Sequence, residues 1–413
     1  MTGTGTQDDV GEADVPSPMD LHPDRRVAAM RRLRGEGPVV PLPEAGPVVA
    51  AVRYEAVNAG LRRIDDFGGS VGQDDVADVD KHVAALREPA HSQVRRVING
   101  VVAFHKSQQI EPYLQGLVDS TLDDFLAEAA TAGDAGVDLV AHLASPLPPS
   151  AMARLMGFPE EDAARYYEWL RESGGRMQQA AQTGKSIAIA DANPRLTAYV
   201  DEQIAARRAL SQDEWPQDAL TRFLRAEIDG EPLDDRSVRA QILFMIGAGT
   251  DTTKNLIGSL FDRLARAPEA YAALRADRSL VDAAVEEALR LDAPAQFMVR
   301  TCQHATELEG TPIERGQRVF MCIGSANHDD AVFDDADEFR LDREKADHLS
   351  FGSGSHICAG AALARLEVRT LLRSFLGRVV AFHLVDPDHF EPRPSPMSQG
   401  PIELRVVLDE VAP

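Results

Sequence analysis

The sequence predicts a mainly α-helical protein with a small β region, and three observations carry that expectation. From about residue 111 to 290 apolar residues recur at three- and four-residue intervals. Strand-like runs are few and lie near the two ends. Aromatic residues are only 6% of a chain rich in Ala and Leu, which suits helix-on-helix packing.

The helical segments are EPYLQGLVDSTLDDFLAEAATA (111–132), PEEDAARYYEWLRES (159–173) and SLVDAAVEEALRLD (279–292). Gly133, the Pro146, Pro148 and Pro149 cluster, Gly174 and Pro294 fall where the pattern breaks, as helix ends require. PVVPLPEAGPVVAAV (38–52) holds two apolar runs with a Gly turn between them and predicts a hairpin. QRVFMCIG (317–324) and IELRVVL (402–408) read as later strands.

The 413 residues carry a net charge of −23. That excess repels nucleic acid and anionic membrane surfaces, so small-molecule chemistry is the expectation. Residues 1–24 begin with a polar, acidic, Gly- and Pro-rich stretch and predict a disordered leader, with one catalytic domain over 25–413. No run approaches the roughly 18 apolar residues of a membrane span, the nearest being ILFMIGAG at 242–249, so a cytoplasmic protein is expected.

Three cysteines, Cys302, Cys322 and Cys358, show no CxxC spacing, which argues against a disulfide framework, a Cys-rich zinc site or c-type haem attachment. Cys358 lies in FGSGSHICAG (351–360), a Gly-rich loop followed by the helical pattern AALARLEVRTLLRSFL. Glycines let backbone lie flat against a planar ligand, and the helix start offers free N–H groups and partial positive charge. A thiol there is expected to have a lowered pKa and to act as nucleophile or metal ligand; a buried structural cysteine is the alternative. The spacing matches neither GxGxxG nor GxxxxGK[ST], so dinucleotide binding is not indicated.

FGSGSHICAG resembles the haem-thiolate signature FxxGxxxCxG of the cytochrome P450 superfamily. The resemblance implies Cys358 as axial ligand of haem iron, Phe351 packed beside it, Gly352, Gly354 and Gly360 allowing the close loop, and His356 reaching a propionate. A thiolate ligand favours O–O cleavage, so ligand identity points to oxygen activation.

Other segments resemble the family in the same order. Glu287 and Arg290 stand three apart, on one helix face if the segment is helical, and match ExxR; Arg343 then completes a Glu-Arg-Arg cluster. Arg340 stands where many relatives carry an acid, and His328 and Asp330 depart from an ANRDP-like stretch. By periodicity, 242–271 is either a buried strand entering a helix or one helix. Ala248, Gly249, Thr250, Asp251, Thr252 and Thr253 match [AG]Gx[DE]T[TS], which implies a long central helix over the distal haem face. There Asp251 would relay protons and the Thr252 hydroxyl would hold the oxygen being activated, in a groove made by distorting the helix ladder. His91 and Arg95 resemble HxxxR, and with Arg300 and His356 they make the implied propionate partners.

The resemblance implies a mainly α cytochrome P450 fold with a helical body around haem b, a long central helix and short β-sheets. It further implies a monomeric monooxygenase that oxidises a hydrophobic small molecule with O2. Two electrons would come from a ferredoxin and ferredoxin reductase. Ala295, Gln296, Phe297, Met298 and Val299, with loops near 65–85 and 170–190, are the expected substrate contacts. Arg365, Glu367, Arg369, Arg373 and Arg378 read as a basic island for an acidic ferredoxin. Peroxygenase chemistry and a non-catalytic haem carrier or sensor are the rival readings.

Overall fold

A computed structural model describes residues 17–42, 47–68, 73, 75–102, 104–183, 185–344 and 347–412. Residues 1–16 of the expected leader, the Gly46 turn, and positions 69–72, 74 and 184 of the expected substrate loops lie outside the described residues. Residues 17–24 of the span expected as leader are described, and helix Pro23–Glu36 opens on a proline at its start and buries Ala29, Met30 and Leu33. Buried Arg26 anchors it, donating to Asp20 O at 2.9 Å and Gln399 Oε1 at 2.5 Å.

The central helix runs Asp235–Arg266, 32 residues or about 48 Å at 1.5 Å per residue. Its N-cap Asp234 accepts from Arg236 N at 2.8 Å. The apolar run at 242–249 is therefore helix and not strand. It reads as ambiguous because a helix enclosed on most sides loses its one-face periodicity. The 111–132 pattern becomes helix Phe104–Ala132, with Pro112 inside it. The 159–173 pattern becomes a turn at Glu160–Asp162 and helix Ala163–Thr183, which continues through the expected break at Gly174. The 279–292 pattern becomes helix Val281–Leu291.

A five-stranded sheet orders Val39–Pro41, Val48–Ala51, Arg318–Cys322, Phe297–Cys302 and Phe67–Gly68; the pair 48–51 and 318–322 is parallel. The 38–52 hairpin is present in register Val39 to Ala51. A second sheet orders Val379–Leu384, Arg405–Val411 and Val137–Asp138. The last strand thus starts three residues later than the apolar pattern at 402 suggests, since Ile402 is exposed.

The largest core joins the central helix, helix Ala361–Arg378 and the second sheet through aromatic edges. Phe375 lies 4.7 Å from Phe261 and 5.3 Å from Phe382, and Tyr271 is 4.9 Å from Phe382 and donates to Val379 O at 2.8 Å. Edge-to-face packing of this kind adds roughly 0.5–1.5 kcal/mol per pair beyond burial. It fixes the helix that starts beside Cys358.

Candidate active site

The cysteine loop is set by two left-handed glycines, Gly352 at φ 74° and Gly354 at φ 73°. A Cβ on Gly354 would lie 3.0 Å from Arg62 Cα, so the loop is pressed onto helix Tyr54–Arg62. Cys358 N donates to Phe351 O at 2.7 Å, closing the turn. Gly360 differs: its φ is −82°, and an added Cβ would meet only Cys358 Sγ, at 4.0 Å. The chain does not need glycine there for its own path; glycine leaves room beside the sulfur.

Burial pushes the Cys358 thiol pKa up, and this outweighs the Gly360 and Ala361 backbone N–H groups, Arg95 and Arg365, which pull it down. The lowered pKa expected from the helix start is therefore not found. Yet the side chain faces open space. A sulfur shielded from bulk water but open on one side becomes a thiolate when a cation sits directly on it, as metal coordination supplies.

Four cationic or ring-nitrogen side chains gather beside the loop. The His91 and His356 rings are 4.2 Å apart. His91 Nδ1 contacts Glu88 Oε1 at 2.8 Å, while its buried Nε2 has no partner. Arg95, on helix Ala90–Val102, donates to Ile357 O. Among the described residues Arg300 donates only to the Val299 carbonyl, at 3.3 Å, and burial lowers its pKa. Burial, then His91, Arg300 and Arg95, hold His356 at about 3. Among the described residues neither Arg95 nor Arg300 has an ion-pair partner. Two half-buried guanidiniums without a counter-ion need an anion, and the neighbouring imidazoles add donors. The donor set fits haem: a sulfur for the iron and these four for two carboxylates.

Glu287 and Arg290 are fully buried and bidentate, at 2.7 and 2.9 Å, and Arg343 Nε closes the cluster at 3.1 Å. Arg290 also binds the carbonyls of Asn327 and Ala336 at 2.9 and 2.6 Å. The pair is thus a buried tie between helix Val281–Leu291 and the chain before the cysteine loop, not a surface pair. Arg340 gives Glu287 its backbone N–H at 3.2 Å, while its side chain pairs with Asp335 and Asp342. His328 bridges Asp337 and Leu291 O, at 2.7 and 2.9 Å, and Asp330 pairs with Arg53 at 2.9 Å.

On the central helix Ala248 and Thr252 are exposed although Thr250 and the run from Thr253 to Asp262 are buried. The two stand one turn apart, on one exposed face of the helix. Thr252 Oγ1 donates to Ala248 O at 2.7 Å. The helix remains α throughout, without the break expected for a groove. Gly249 serves packing: its Cβ would come 2.7 Å from Met152 Sδ. Asp251 Oδ2 meets Arg393 at 3.2 Å, while its buried Oδ1 has no partner among the described residues. Nothing in the local pattern around 393 marks that arginine as part of the site.

The cytochrome P450 family model matches residues 44–399. The chain belongs to the cytochrome P450 family. Putative cytochrome P450 126 of Mycobacterium tuberculosis is 33% identical over 339 residues, covering 81% of this chain and 78% of that protein. The cytochrome P450 monooxygenase PikC of Streptomyces venezuelae is 32% identical over 379 residues, 89% and 88% of the two chains. A mutant of P450 EryK in complex with erythromycin B superposes with a TM-score of 0.83 at 28% identity, covering 94% of this chain and 97% of that one. This P450 is accordingly an oxidoreductase of the monooxygenase class, with haem iron and O2 as the family's means. Among the described residues no helix is long and apolar enough to cross a membrane.

The five expected substrate contacts of this P450 do not share one face. Phe297 points into a core with Met30, Leu33 and Leu42, 5.7 Å from Phe320. Gln296 is buried and donates to Ala293 O at 2.8 Å. Strand alternation turns Met298 outward instead; Val299 is half-buried and Ala295 bridges Ser398. The expected loop near 65–85 reaches the central helix: His82 stacks on Phe244 at 4.4 Å, and Val83 N donates to Gln241 Oε1 at 2.7 Å.

The basic island is largely neutralised. Arg365 pairs with Glu286 at 2.6 Å, Arg369 with Asp282 at 3.3 Å and Arg378 with Asp123 at 2.5 Å. Glu367 is buried, and burial raises its pKa well above the carboxylate range. Sequence adjacency hid these partners because they come from other helices. What remains over Cys358 is a depression of about 620 Å³ with Val102, Ala359, Ala361 and Ala362 on its floor.

Proposed function

We propose that this P450 inserts one oxygen atom of O2 into a C–H bond of an apolar small molecule, with haem b held through Cys358. The balance is RH, O2, two electrons and two protons giving ROH and water. Thiolate-ligated haem supplies O–O cleavage and oxygen insertion when bound. The carrying observation is the exposed Cys358 beside Arg95 and Arg300, which have no ion-pair partner among the described residues, with His91 and His356 next to them.

The chain's own groups then divide the work. Cys358 anchors the iron, and the four donors bind the propionates. The cluster of Glu287, Arg290 and Arg343 keeps the loop's approach rigid. Asp251, whose Oδ1 is unpartnered among the described residues, and the adjacent Thr252 hydroxyl would relay protons towards the oxygen being activated. Retention of both residues favours O2 over peroxide as oxidant, since a peroxide-driven enzyme has less need of a proton relay.

The substrate proposed is a bulky apolar natural product of polyketide or steroid size. EryK with erythromycin B, and CYP109E1 from Bacillus megaterium with testosterone at 25% identity and a TM-score of 0.79, support that size range. A ferredoxin and its reductase are the proposed donors, docking at the depression over Cys358. Its apolar floor and paired rim imply reduction rates that change little with ionic strength.

The deciding experiment is the carbon monoxide difference spectrum of the reduced protein. A thiolate-type band in the wild type, absent in Cys358→Ser, supports the assignment. Pigment without sulfur ligation in the wild type rejects it. Spin-state titration against macrolides and steroids then tests the substrate class.

A further inference from the structure

A second cleft, of about 710 Å³, lies on the other side of helix Ala90–Val102, against helix Leu147–Met156 and the short helix Ala219–Leu224. Four arginines line it: Arg96, Arg154, Arg222 and Arg225. In a chain of net charge −23, whose other arginines mostly meet carboxylates, this concentration is exceptional.

Three of the guanidinium groups are held mainly by carbonyls and aromatic faces. Arg222 Nε donates to Val97 O at 3.1 Å and lies flat on Gly100, where any Cβ would collide with it. Arg225 donates to Gln212 O at 2.6 Å and covers the Trp215 ring at 5.6 Å. Arg154 covers Tyr113 at 5.3 Å, with Glu160 only as near as 3.7 Å. Among the described residues Arg96, Arg222 and Arg225 have no ion-pair partner. Asp218, which also lines the cleft, is already engaged by Arg207 through two bonds of 2.8 Å. Glu227 is the remaining carboxylate of the lining.

Preplaced guanidinium forks with unspent charge match phosphate oxygens, which they bind two at a time. The volume is that of a small-molecule site. Trp215 and Tyr113 already carry arginines on their faces, so recognition rests on the phosphates and not on ring stacking. We propose that this cleft binds a small phosphate-bearing polyanion of the pyrophosphate or nucleoside diphosphate class. An acidic protein surface is the rival occupant; the concave shape, set apart from Cys358 by a whole helix, favours the small ligand.

The test is calorimetric titration of the holoenzyme with inorganic pyrophosphate and, separately, ADP, at low and near-physiological ionic strength. One saturable site is expected, weakened at least tenfold in the Arg222→Ala/Arg225→Ala double variant and less in Arg222→Lys. Equal affinities would identify the phosphates as the recognised part, and tighter ADP a nucleotide source; both support the site. No saturable heat at about millimolar ligand, or equal affinity in wild type and double variant, overturns it. So does a double variant that binds neither anion differently but is reduced more slowly by a ferredoxin, which would make the cleft a donor contact. The carbon monoxide spectrum of each variant reports cofactor loading separately.

Discussion

Arg393 joins the C-terminal loop to the middle of the central helix through Asp251: Nη2 lies 3.2 Å from Oδ2, and Nη1 bonds Asn255 Oδ1, one turn further on, at 3.1 Å. The carboxylate is therefore oriented by a residue 142 positions away. Its other oxygen, Oδ1, has no partner among the described residues.

Asp251→Asn should lower product formation about a hundredfold or more, the low end of what a positioned general acid contributes, with haem content unchanged. Arg393→Gln should give a smaller loss in the same direction, and Thr252→Ala should divert electrons to peroxide. Product and peroxide measured per NADH check all three. Undiminished coupling in Asp251→Asn would remove the relay.

Glu287→Ala should cost about 3–5 kcal/mol of folding stability, because Arg290 would be left as a buried charge without a counter-ion. Denaturant midpoints of the purified protein measure it. Glu287→Gln, which keeps two polar atoms, should fall between.

Acid sensitivity should include Glu286. Burial alone would raise its pKa, but bonds from Arg365 and His348 outweigh that and hold it at about 2, against 4.5 for a free side chain. A depressed carboxyl pKa stabilises the fold fully above the unfolded value, and the contribution drains away as pH falls from about 4.5 towards 2. Stability of Glu286→Gln measured across that window should fall less steeply than wild type.

Gly354→Ala should strain the cysteine loop at its left-handed position by about 1–2 kcal/mol and press against Arg62 Cα. The expected outcome is a lower haem occupancy with little change in helix content, read from absorbance and circular dichroism. Gly360→Ala tests the other glycine: its backbone tolerates alanine, so any loss of haem there reports the space beside the sulfur.

Much of the site was legible because its parts are local. FGSGSHICAG holds the turn glycines and the sulfur in ten residues, and Glu287 and Arg290 need only one helical turn to meet. The strand Phe297–Cys302 was less legible: four apolar residues around Gln296 do not say which face is lined by substrate, and pairing with Arg318–Cys322 buries Phe297. The arginines after Cys358 misled for a related reason. Their charge was visible, whereas Glu286, Asp282 and Asp123, which cancel most of it, approach from other helices.

The residue order by itself determined the helical body, the turn that presents Cys358 and the family, since these depend on backbone preference and spacing along one segment. Tertiary packing alone decided that the Cys358 thiol pKa is raised and not lowered, that Asp251 pairs with Arg393, and that Arg96, Arg222 and Arg225 share one cleft with no ion-pair partner among the described residues. Each of those outcomes turns on distance and solvent exclusion between groups far apart in the chain, and electrostatic interactions are governed by those two quantities.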